Sequence, residues 1–228
     1  MIAAVHQPQY FPWLGYYDKM AKADVFCYLD NVQYKKNEWQ NRNRIKSVGG
    51  WQWLTVPVTY RFPQRINQVK IDRKTPWGKK HIQALTTCYR RAPFFDEYMS
   101  LFEPILRSDP ERLSELNIAL AEALRRALGI ETKTVIASEL APLREEPTDR
   151  LIDICRELGA DTYLAGRGGA NYMDLSRFND SGIRVVFQAF DHPVYPQLYG
   201  DFVANLSAVD LLFNRGPDSL AVIRGEGE

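Results

Sequence analysis

The chain opens with two short apolar runs that are separated by a helical pattern. The first run covers residues 2–5 and stops at the polar pair His6 and Gln7. After a loop with two prolines, apolar residues recur at helical spacing from Leu14 to Ala23, and a second apolar run occupies residues 24–30. Because strand, loop, helix and strand follow one another in this order, the pattern predicts a βαβ unit with a right-handed crossover.

The middle of the chain interrupts this alternation. A polar stretch at residues 31–50 precedes a run rich in aromatic and β-branched residues, Trp51 to Val58, which predicts a strand that residues 68–71 pair with. Three segments then show helical periodicity: residues 77–89, 96–106 and 110–128. We interpret residues 31–132 as a mixed, largely helical insertion that follows the second strand and covers the active end of the sheet.

Alternation resumes after the insertion. Three apolar runs predict strands at residues 134–137, 162–165 and 183–190. Helical patterns follow them at residues 148–158, 171–178 and 207–214. The order predicts an α/β fold in a single domain of residues 1–228, with a Rossmann-like parallel sheet of about five strands and helices on both faces.

Composition and charge narrow the functional classes. The formal net charge of +1 gives no electrostatic basis for binding nucleic acid. No apolar run approaches the roughly 20 residues of a membrane span, and no basic region precedes the first apolar run, so we expect neither a span nor a signal peptide. The three cysteines are far apart and form no C-x-x-C pair, which fits a reducing compartment. We therefore expect a cytoplasmic protein.

Polar side chains at the ends of the first two strands are the main candidates for catalysis, because parallel sheets bind ligands at this edge. His6 is a candidate general base, Gln7 a candidate substrate reader or oxyanion donor, and Asp30 a candidate orienter of His6. Each also has a structural alternative, such as a bond that holds the loop or an Asx turn. His81 lies in a helical pattern beside two lysines and is expected at the surface. Histidines and carboxylates show no metal-ligand spacing, so we predict no metal site.

A second group of candidates is expected to bind the substrate. Tyr10 and Tyr16 carry aromatic faces suited to a sugar or a nucleobase, and both also fit ordinary packing of the first helix. Asn41, Arg42 and Arg44 form either a clamp for a carboxylate or pyrophosphate, or a solvated loop. The further candidates follow strands: Gln33 after the second, Gly166, Arg167 and Asn171 after a later one, and Asp191, His192 and Tyr195 after the last.

The same segments resemble a known family, the WbqC-like family. The resemblance lies first in His6-Gln-Pro-x-Tyr10-x-Pro12-Trp13-x-Gly15-Tyr16 and in Asn41-Arg42-Asn43-Arg44-Ile45. It continues in Tyr163-Leu-x-Gly166, His192-Pro-x-Tyr195 and Leu206-Ser-x-x-Asp210-Leu-Leu. Members of the family resemble proteins from surface-polysaccharide (O-antigen) gene clusters. The resemblance therefore implies a role in making such a glycan.

The layout is also similar to the nucleotidylyltransferase-like α/β fold, and to pantothenate synthetase in particular. That similarity implies ATP-dependent activation of a carboxylate. The His-x-Gly-His motif of those enzymes corresponds to Trp13 to Tyr16 here, where Gly15 is present and both histidines are replaced. Because those histidines normally stabilise phosphates during adenylyl transfer, the similarity supports the fold more strongly than the reaction.

These observations lead to one functional hypothesis and two alternatives. We expect a transferase of surface-polysaccharide precursor biosynthesis that joins an acyl or aminoacyl group to an amino sugar, free or nucleotide-linked, or to a similar small amine. The first alternative is an ATP-dependent amide ligase. The second is a non-enzymatic binding or assembly protein whose partner surface includes Trp51, Trp53 and Phe94–Phe95. No cofactor is evident, a small-molecule substrate is the expected partner, and the oligomeric state stays open.

Overall fold

The computed structural model describes residues 1–171 and 173–226, which fall into two compact units. The first, which we call the sheet unit, consists of Met1–Gln7, Asp18–Asn31 and Glu131–Asp191. The other, which we call the second unit, consists of Pro8–Tyr17, Val32–Ile130 and His192–Glu228. Most of the predicted insertion thus belongs to the second unit. Its predicted position over the active end of the sheet, within a single domain, stays a prediction.

Strands and helices alternate in both terminal parts of the chain. The strands are β1 (Ile2–His6), β2 (Val25–Tyr28), β3 (Arg42–Ser47), β4 (Gly50–Thr55), β5 (Val58–Thr59), β6 (Lys70–Ile71), β7 (Lys133–Ile136), β8 (Thr162–Ala165) and β9 (Arg184–Phe187). The α-helices are α1 (Leu14–Ala21), α2 (Trp77–Tyr89), α3 (Phe95–Arg107), α4 (Leu113–Ala127), α5 (Pro147–Glu157), α6 (Leu175–Asp180), α7 (Ala208–Arg215) and α8 (Ser219–Arg224).

Five parallel strands form the sheet, in the order β7-β2-β1-β8-β9. Strands β2 and β8 are buried throughout and β1 is buried at its centre. Their continuous apolar runs follow from this position, because an inner parallel strand is covered on both faces. In register, Ala3 of β1 pairs with Val25 on one side and with Tyr163 on the other. The predicted α/β class with a five-stranded parallel sheet is confirmed.

Helices cover both faces of this sheet. The helix α1, whose second half belongs to the sheet unit, leads from β1 to its neighbour on one side, whereas α5 and α6 lead to β8 and β9 on the other side. Right-handed connections that run in opposite directions place their helices on opposite faces. On the face of α5 and α6, Leu151, Cys155 and Phe178 pack in one core with Tyr163 of β8, whose ring stacks on that of Phe178 at 5.4 Å.

Local signals fix the starts of the two later helices of the sheet unit. Pro147 occupies the first turn of α5, and the Glu146 carboxylate accepts the backbone N–H of Asp149 at 2.7 Å. The Asp174 carboxylate caps α6 in the same way. The helix predicted at residues 171–178 therefore begins later, at Leu175, and follows a 3₁₀ turn; position 172 lies outside the described residues.

A β-hairpin replaces much of the polar stretch predicted at residues 31–50. Strands β3 and β4 pair antiparallel, with Arg44 opposite Trp53 and Ile45 opposite Gln52. In β3 the buried Asn43 and Ile45 alternate with the partly exposed arginines, so the strand period is present although the composition is polar. Residues 70–71 pair with the separate short strand β5, so the predicted pairing is present at Val58, the last residue of the predicted strand, and does not extend to β4.

Aromatic side chains hold the helices of the second unit together. The ring of Phe213 in α7 contacts Tyr89, Phe95 and Phe102 at centroid distances of 5.1, 5.2 and 6.1 Å. The buried Phe95 is thus part of this core, and its prediction as part of an exposed partner surface is wrong, because it packs at the start of α3. In the described part of the chain, no helix has the length and apolar character needed to cross a membrane.

Candidate active site

The winding direction of the sheet reverses between β1 and β8. From β1 the chain continues to β2 on one side, and from β7 it crosses over to β8 on the other. Open α/β sheets bind ligands at such a switch point, in the crevice outside the carboxyl ends of the strands. The strands that flank it end at His6 and Ala165. These ends define the candidate site of the sheet unit.

His6 is partly exposed at the end of β1. Its Nδ1–H donates to the Gln7 backbone carbonyl at 3.1 Å, and since a carbonyl can only accept, Nε2 carries the lone pair of the ring. Desolvation by the surrounding protein, together with the charge of Lys19, lowers the pKa of His6 to about 3. The ring is therefore neutral near pH 7 and holds a proton only weakly. The predicted roles of His6 as base and of Gln7 as substrate reader stay predictions.

Lys19 is a candidate that the sequence patterns missed. The residue is only 3% exposed, and its Nζ donates to the backbone carbonyl of Val5 at 2.8 Å. The same nitrogen lies 5.9 Å from the centroid of the Tyr163 ring. Burial lowers the pKa of Lys19 to about 7, so both protonation states are populated near neutral pH. A lysine with this pKa has the proton affinity of an efficient general base.

Asp30 is buried at the end of β2 and binds the segment after β7. Its two carboxylate oxygens accept the backbone N–H of Ser138 at 3.0 Å and the Ser138 hydroxyl at 2.6 Å. The neighbouring Asn31 side chain donates to the Ala137 carbonyl at 3.3 Å. These bonds connect two adjacent strand ends, which is the structural role that the carboxylate performs here. The predicted orientation of His6 by Asp30 stays a prediction.

The residues after β8 lie on the other side of the switch point. Gly166 leads into the 3₁₀ turn Arg167–Asn171, in which Arg167 and Asn171 are exposed. The Arg167 guanidinium donates to the Phe190 carbonyl at 2.8 Å and to the Asp191 carboxylate at 3.0 Å. The structure thus brings the predicted Arg167 and Asp191 together as a surface ion pair. Contact of Gly166, Arg167 and Asn171 with an anion stays a prediction.

Tyr10 and Tyr16 lie in the core of the second unit. Both are fully buried, and the Tyr10 hydroxyl bonds Nδ1 of His81 at 2.7 Å. The surface position predicted for His81 is wrong: the residue is 7% exposed, because its helix turns it toward Tyr10 and Trp77. Burial lowers the pKa of His81 to about 4, so the ring is neutral. This placement favours the packing alternative for Tyr10 and Tyr16, and their contact with substrate stays a prediction.

His192 and Tyr195 contact each other in the second unit and serve two networks. The rings stack at a centroid distance of 6.5 Å. Nε2 of His192 accepts the backbone N–H of Asn205 at 3.1 Å, while Nδ1 bonds the Pro193 carbonyl at 2.8 Å. The Tyr195 hydroxyl donates to the buried Asp210 carboxylate at 2.9 Å. Burial raises the pKa of Asp210 to about 6. Both predicted residues thus hold the segment that precedes α7.

Gln33 and Asn41 make local backbone contacts. The Gln33 side-chain amide donates to the Tyr34 carbonyl at 3.1 Å. The buried Asn41 amide donates to the Val56 carbonyl at 3.1 Å, which joins the start of the hairpin to its end. These bonds are structural, and a role in substrate binding stays a prediction for both residues.

Arg42 and Arg44 lie among tryptophans on one face of the hairpin. The guanidinium carbon of Arg42 is 4.3 Å from the ring centroid of Trp53, and that of Arg44 is 5.1 Å from Trp51 and 5.8 Å from Trp39. The two predicted arginines therefore do lie together.

In the described residues, no group of three or more histidine, cysteine, aspartate or glutamate side chains is arranged to hold a metal ion.

The fold is that of an α/β protein with a Rossmann-like parallel sheet, and the candidate site lies at its switch point. The model of the WbqC-like protein family matches residues 7–222. An uncharacterised protein of Mycobacterium tuberculosis (strain ATCC 25618 / H37Rv), Rv1507c, is 38% identical over 225 residues, which cover 97% of this chain and 96% of that protein. No solved structure matches the chain. The chain belongs to the WbqC-like family, which confirms the resemblance of its opening motif.

Proposed function

We propose that the protein is a cytoplasmic transferase that joins an acyl or aminoacyl group to the amine of an amino sugar or a similar small molecule. Its product would be a precursor of a surface polysaccharide. Family membership supports the glycan context. The observation that carries the reaction class is the buried Lys19 amine, whose pKa of about 7 suits proton transfer at neutral pH, beside the neutral His6 at the switch point.

The proposed reaction is nucleophilic acyl transfer. The amine nitrogen of the acceptor attacks the acyl carbon of the donor, a C–N bond forms, and the bond from the acyl carbon to its leaving group breaks. One proton of the amine passes to neutral Lys19, which then returns it to the leaving group. His6 accepts a hydrogen bond from the acceptor amine at Nε2, since its Nδ1–H is engaged by Gln7.

Other residues of the sheet unit have supporting roles in this proposal. Arg167 follows β8 and supplies a positive charge for a phosphate or a carboxylate of the substrate. The Asp30–Ser138 hydrogen bonds hold the ends of β2 and β7 at the edge. This assignment gives the proton to Lys19 and leaves His6 as the group that contacts the amine, because a pKa near 3 makes the imidazole a weak proton acceptor.

The test is a transfer assay read by mass spectrometry. The purified protein is incubated with UDP-, dTDP- or GDP-linked amino sugars and with acyl or aminoacyl donors, with and without ATP. We expect an acceptor that gains the mass of the acyl group. The variants Lys19→Met and His6→Ala should each lose most of this activity. Lys133→Met, which alters an exposed lysine of β7, is the matched control and should keep it.

Two results would contradict the proposal. Product formation that is unchanged in both Lys19→Met and His6→Ala would rule out the proposed roles of these residues. An absence of product with every donor would rule out the proposed reaction. Product that requires ATP and appears with AMP or pyrophosphate would instead establish the ligase alternative. Circular dichroism and the thermal midpoint of each variant separate loss of chemistry from loss of fold.

A further inference from the structure

We infer that the hairpin of the second unit carries a binding surface for a saccharide with an anionic group. The surface consists of Trp39, Trp51 and Trp53 together with Arg42 and Arg44, and we call it the tryptophan surface. The inference concerns binding alone and does not depend on the transfer reaction proposed for the sheet unit.

The register of the hairpin places these side chains on one face. Residues directly opposite each other in an antiparallel pair project to the same side, and so do alternate residues of one strand. Arg44 pairs with Trp53, and Lys46 pairs with Trp51. Arg42, Arg44, Trp51 and Trp53 thus share a face with the buried Lys46, whereas Asn43, Ile45 and Leu54 are buried on the other.

The three tryptophans form a continuous exposed aromatic patch. Trp39, Trp51 and Trp53 are 38%, 43% and 38% exposed. The ring of Trp53 is 5.5 Å from that of Trp51 and 5.7 Å from that of Trp39, measured between centroids. Single exposed apolar residues are ordinary on a protein surface, but adjoining indole rings mark a binding surface.

The two arginines lack the partners that a purely structural role would supply. Neither Arg42 nor Arg44 makes an ion pair with a carboxylate of the described residues; both guanidinium groups lie over indole rings, and that of Arg44 also donates to the Asn205 carbonyl at 3.2 Å. The Nε atoms of both are buried and have no hydrogen-bond acceptor in the part of the chain that the structure describes. Buried donors are normally paired, so these two Nε–H donors favour the binding of a ligand that supplies acceptors.

Together these features select the chemistry of the ligand. Indole faces stack on the apolar C–H face of a pyranose ring, and adjacent guanidinium groups bind a carboxylate or phosphate through paired hydrogen bonds. The overall charge of +1 offers no extended basic surface for a nucleic-acid backbone. A sugar acid or a sugar phosphate satisfies both the rings and the arginines, whereas a neutral sugar leaves the arginines unpaired.

The test uses the indole N–H signals in ¹H–¹⁵N NMR spectra of the full chain, which contains five tryptophans. Each signal is assigned by a single Trp→Phe variant. The protein is titrated with glucuronate, glucose 1-phosphate, neutral glucose and inorganic phosphate. We expect both anionic sugars to shift the signals of Trp39, Trp51 and Trp53, and to bind at least about tenfold more tightly than glucose or phosphate alone.

Variants test whether the anionic sugars bind at the tryptophan surface, and a control variant shows whether a loss of binding is specific. Arg42→Gln combined with Arg44→Gln should weaken binding of the anionic sugars by about tenfold or more, and Trp51→Ala, an exposed position, should weaken it as well. Arg91→Gln, an exposed arginine of the same unit, is the control and should bind as the wild type does. The inference would be overturned if no indole signal shifts, or if only the signals of Trp13 and Trp77 shift. Equal binding of glucose or phosphate would overturn it as well, and so would unchanged binding by the double arginine variant.

Discussion

The Nζ of Lys19 donates a 2.8 Å hydrogen bond to the backbone carbonyl of Val5, the residue before His6. A carbonyl oxygen accepts this bond but supplies no counter-charge, so the buried ammonium loses its hydration without the compensation that a carboxylate provides. The neighbouring carboxylate of Asp18 is engaged by Lys22 at 2.7 Å and by Gln188 at 2.6 Å. The strand end therefore holds a lysine that releases its proton near neutral pH.

Replacement of Lys19 by methionine should change how stability depends on pH. The pKa of about 7 in the folded protein lies below the ordinary value of 10.5, so in the range between these values the unfolded chain binds more protons than the folded one. Lys19 thus contributes stability that is fully present above the ordinary pKa of 10.5 and is lost as the pH falls through the pKa of about 7 in the folded protein. The free energy of unfolding of the wild type relative to Lys19→Met should rise by on the order of 4 kcal/mol from about pH 7 to about pH 10.

Urea unfolding of both proteins at several pH values measures this difference. The control is Lys133→Met at an exposed position, whose difference from the wild type should show little dependence on pH. A difference for Lys19→Met that stays flat over the same range would mean that the lysine titrates at its ordinary value.

Removal of the Tyr195 hydroxyl should weaken the second unit in a pH-dependent way. This hydroxyl donates to the Asp210 carboxylate, which also accepts from Tyr89 and Gln197. Hydrogen bonds to charged acceptors contribute more than neutral ones, so Tyr195→Phe should cost about 2 kcal/mol where Asp210 is ionised. Since burial raises the pKa of Asp210 to about 6, the cost should shrink as the pH falls below that value. Denaturant unfolding at mildly acidic and mildly alkaline pH provides the comparison, and Tyr60→Phe serves as control. An equal cost at both pH values would contradict the prediction.

Gly78 should tolerate no side chain, although it lies inside a helix where alanine is usually favoured by roughly 1 kcal/mol. A Cβ at this position would lie 2.2 Å from the Leu106 carbonyl oxygen of α3, a backbone atom that cannot move alone. Gly78→Ala should therefore destabilise the protein by about 1–3 kcal/mol, as overpacking does elsewhere. Gly49→Ala, where nothing lies within 4 Å, is the matched control and should stay within about 0.5 kcal/mol of the wild type. Thermal unfolding distinguishes them, and equal midpoints for the two variants would show that α2 and α3 can separate.

The fold class was readable from the sequence because the inner strands are covered on both faces. Continuous apolar runs such as Val25–Tyr28 and Thr162–Ala165 mark that environment directly. Strand β3 of the hairpin was missed for the opposite reason, whereas β4 overlaps the strand predicted at residues 51–58. The buried residues of β3 include Asn43, whose side chain donates to the Phe11 carbonyl, and Lys46, whose backbone N–H donates to the Tyr89 hydroxyl, so burial in this strand does not coincide with apolar residues.

The candidate site was predictable in position but not in its proton chemistry. A polar pair at the end of an apolar strand identified His6 and Gln7, because strand ends share an edge. Lys19 was missed since a helical lysine normally lies at the surface. Its spacing was the available signal: it lies three residues after the buried Tyr16 and next to the buried Met20, whereas Lys22 is largely exposed. The burial of His81 depends on the contact with Tyr10, which comes from another part of the chain.

The most direct test of the central claim is a pH titration of Lys19 itself. Protein labelled with ¹³C at the ε-carbon of lysine is followed by NMR from about pH 5 to about pH 11, and the Lys19 signal is assigned by its absence in Lys19→Met. We expect the Lys19 signal to titrate with a midpoint near 7. A Lys19 midpoint close to 10.5 would contradict the account, because the sheet edge would then hold no base suited to acyl transfer at neutral pH.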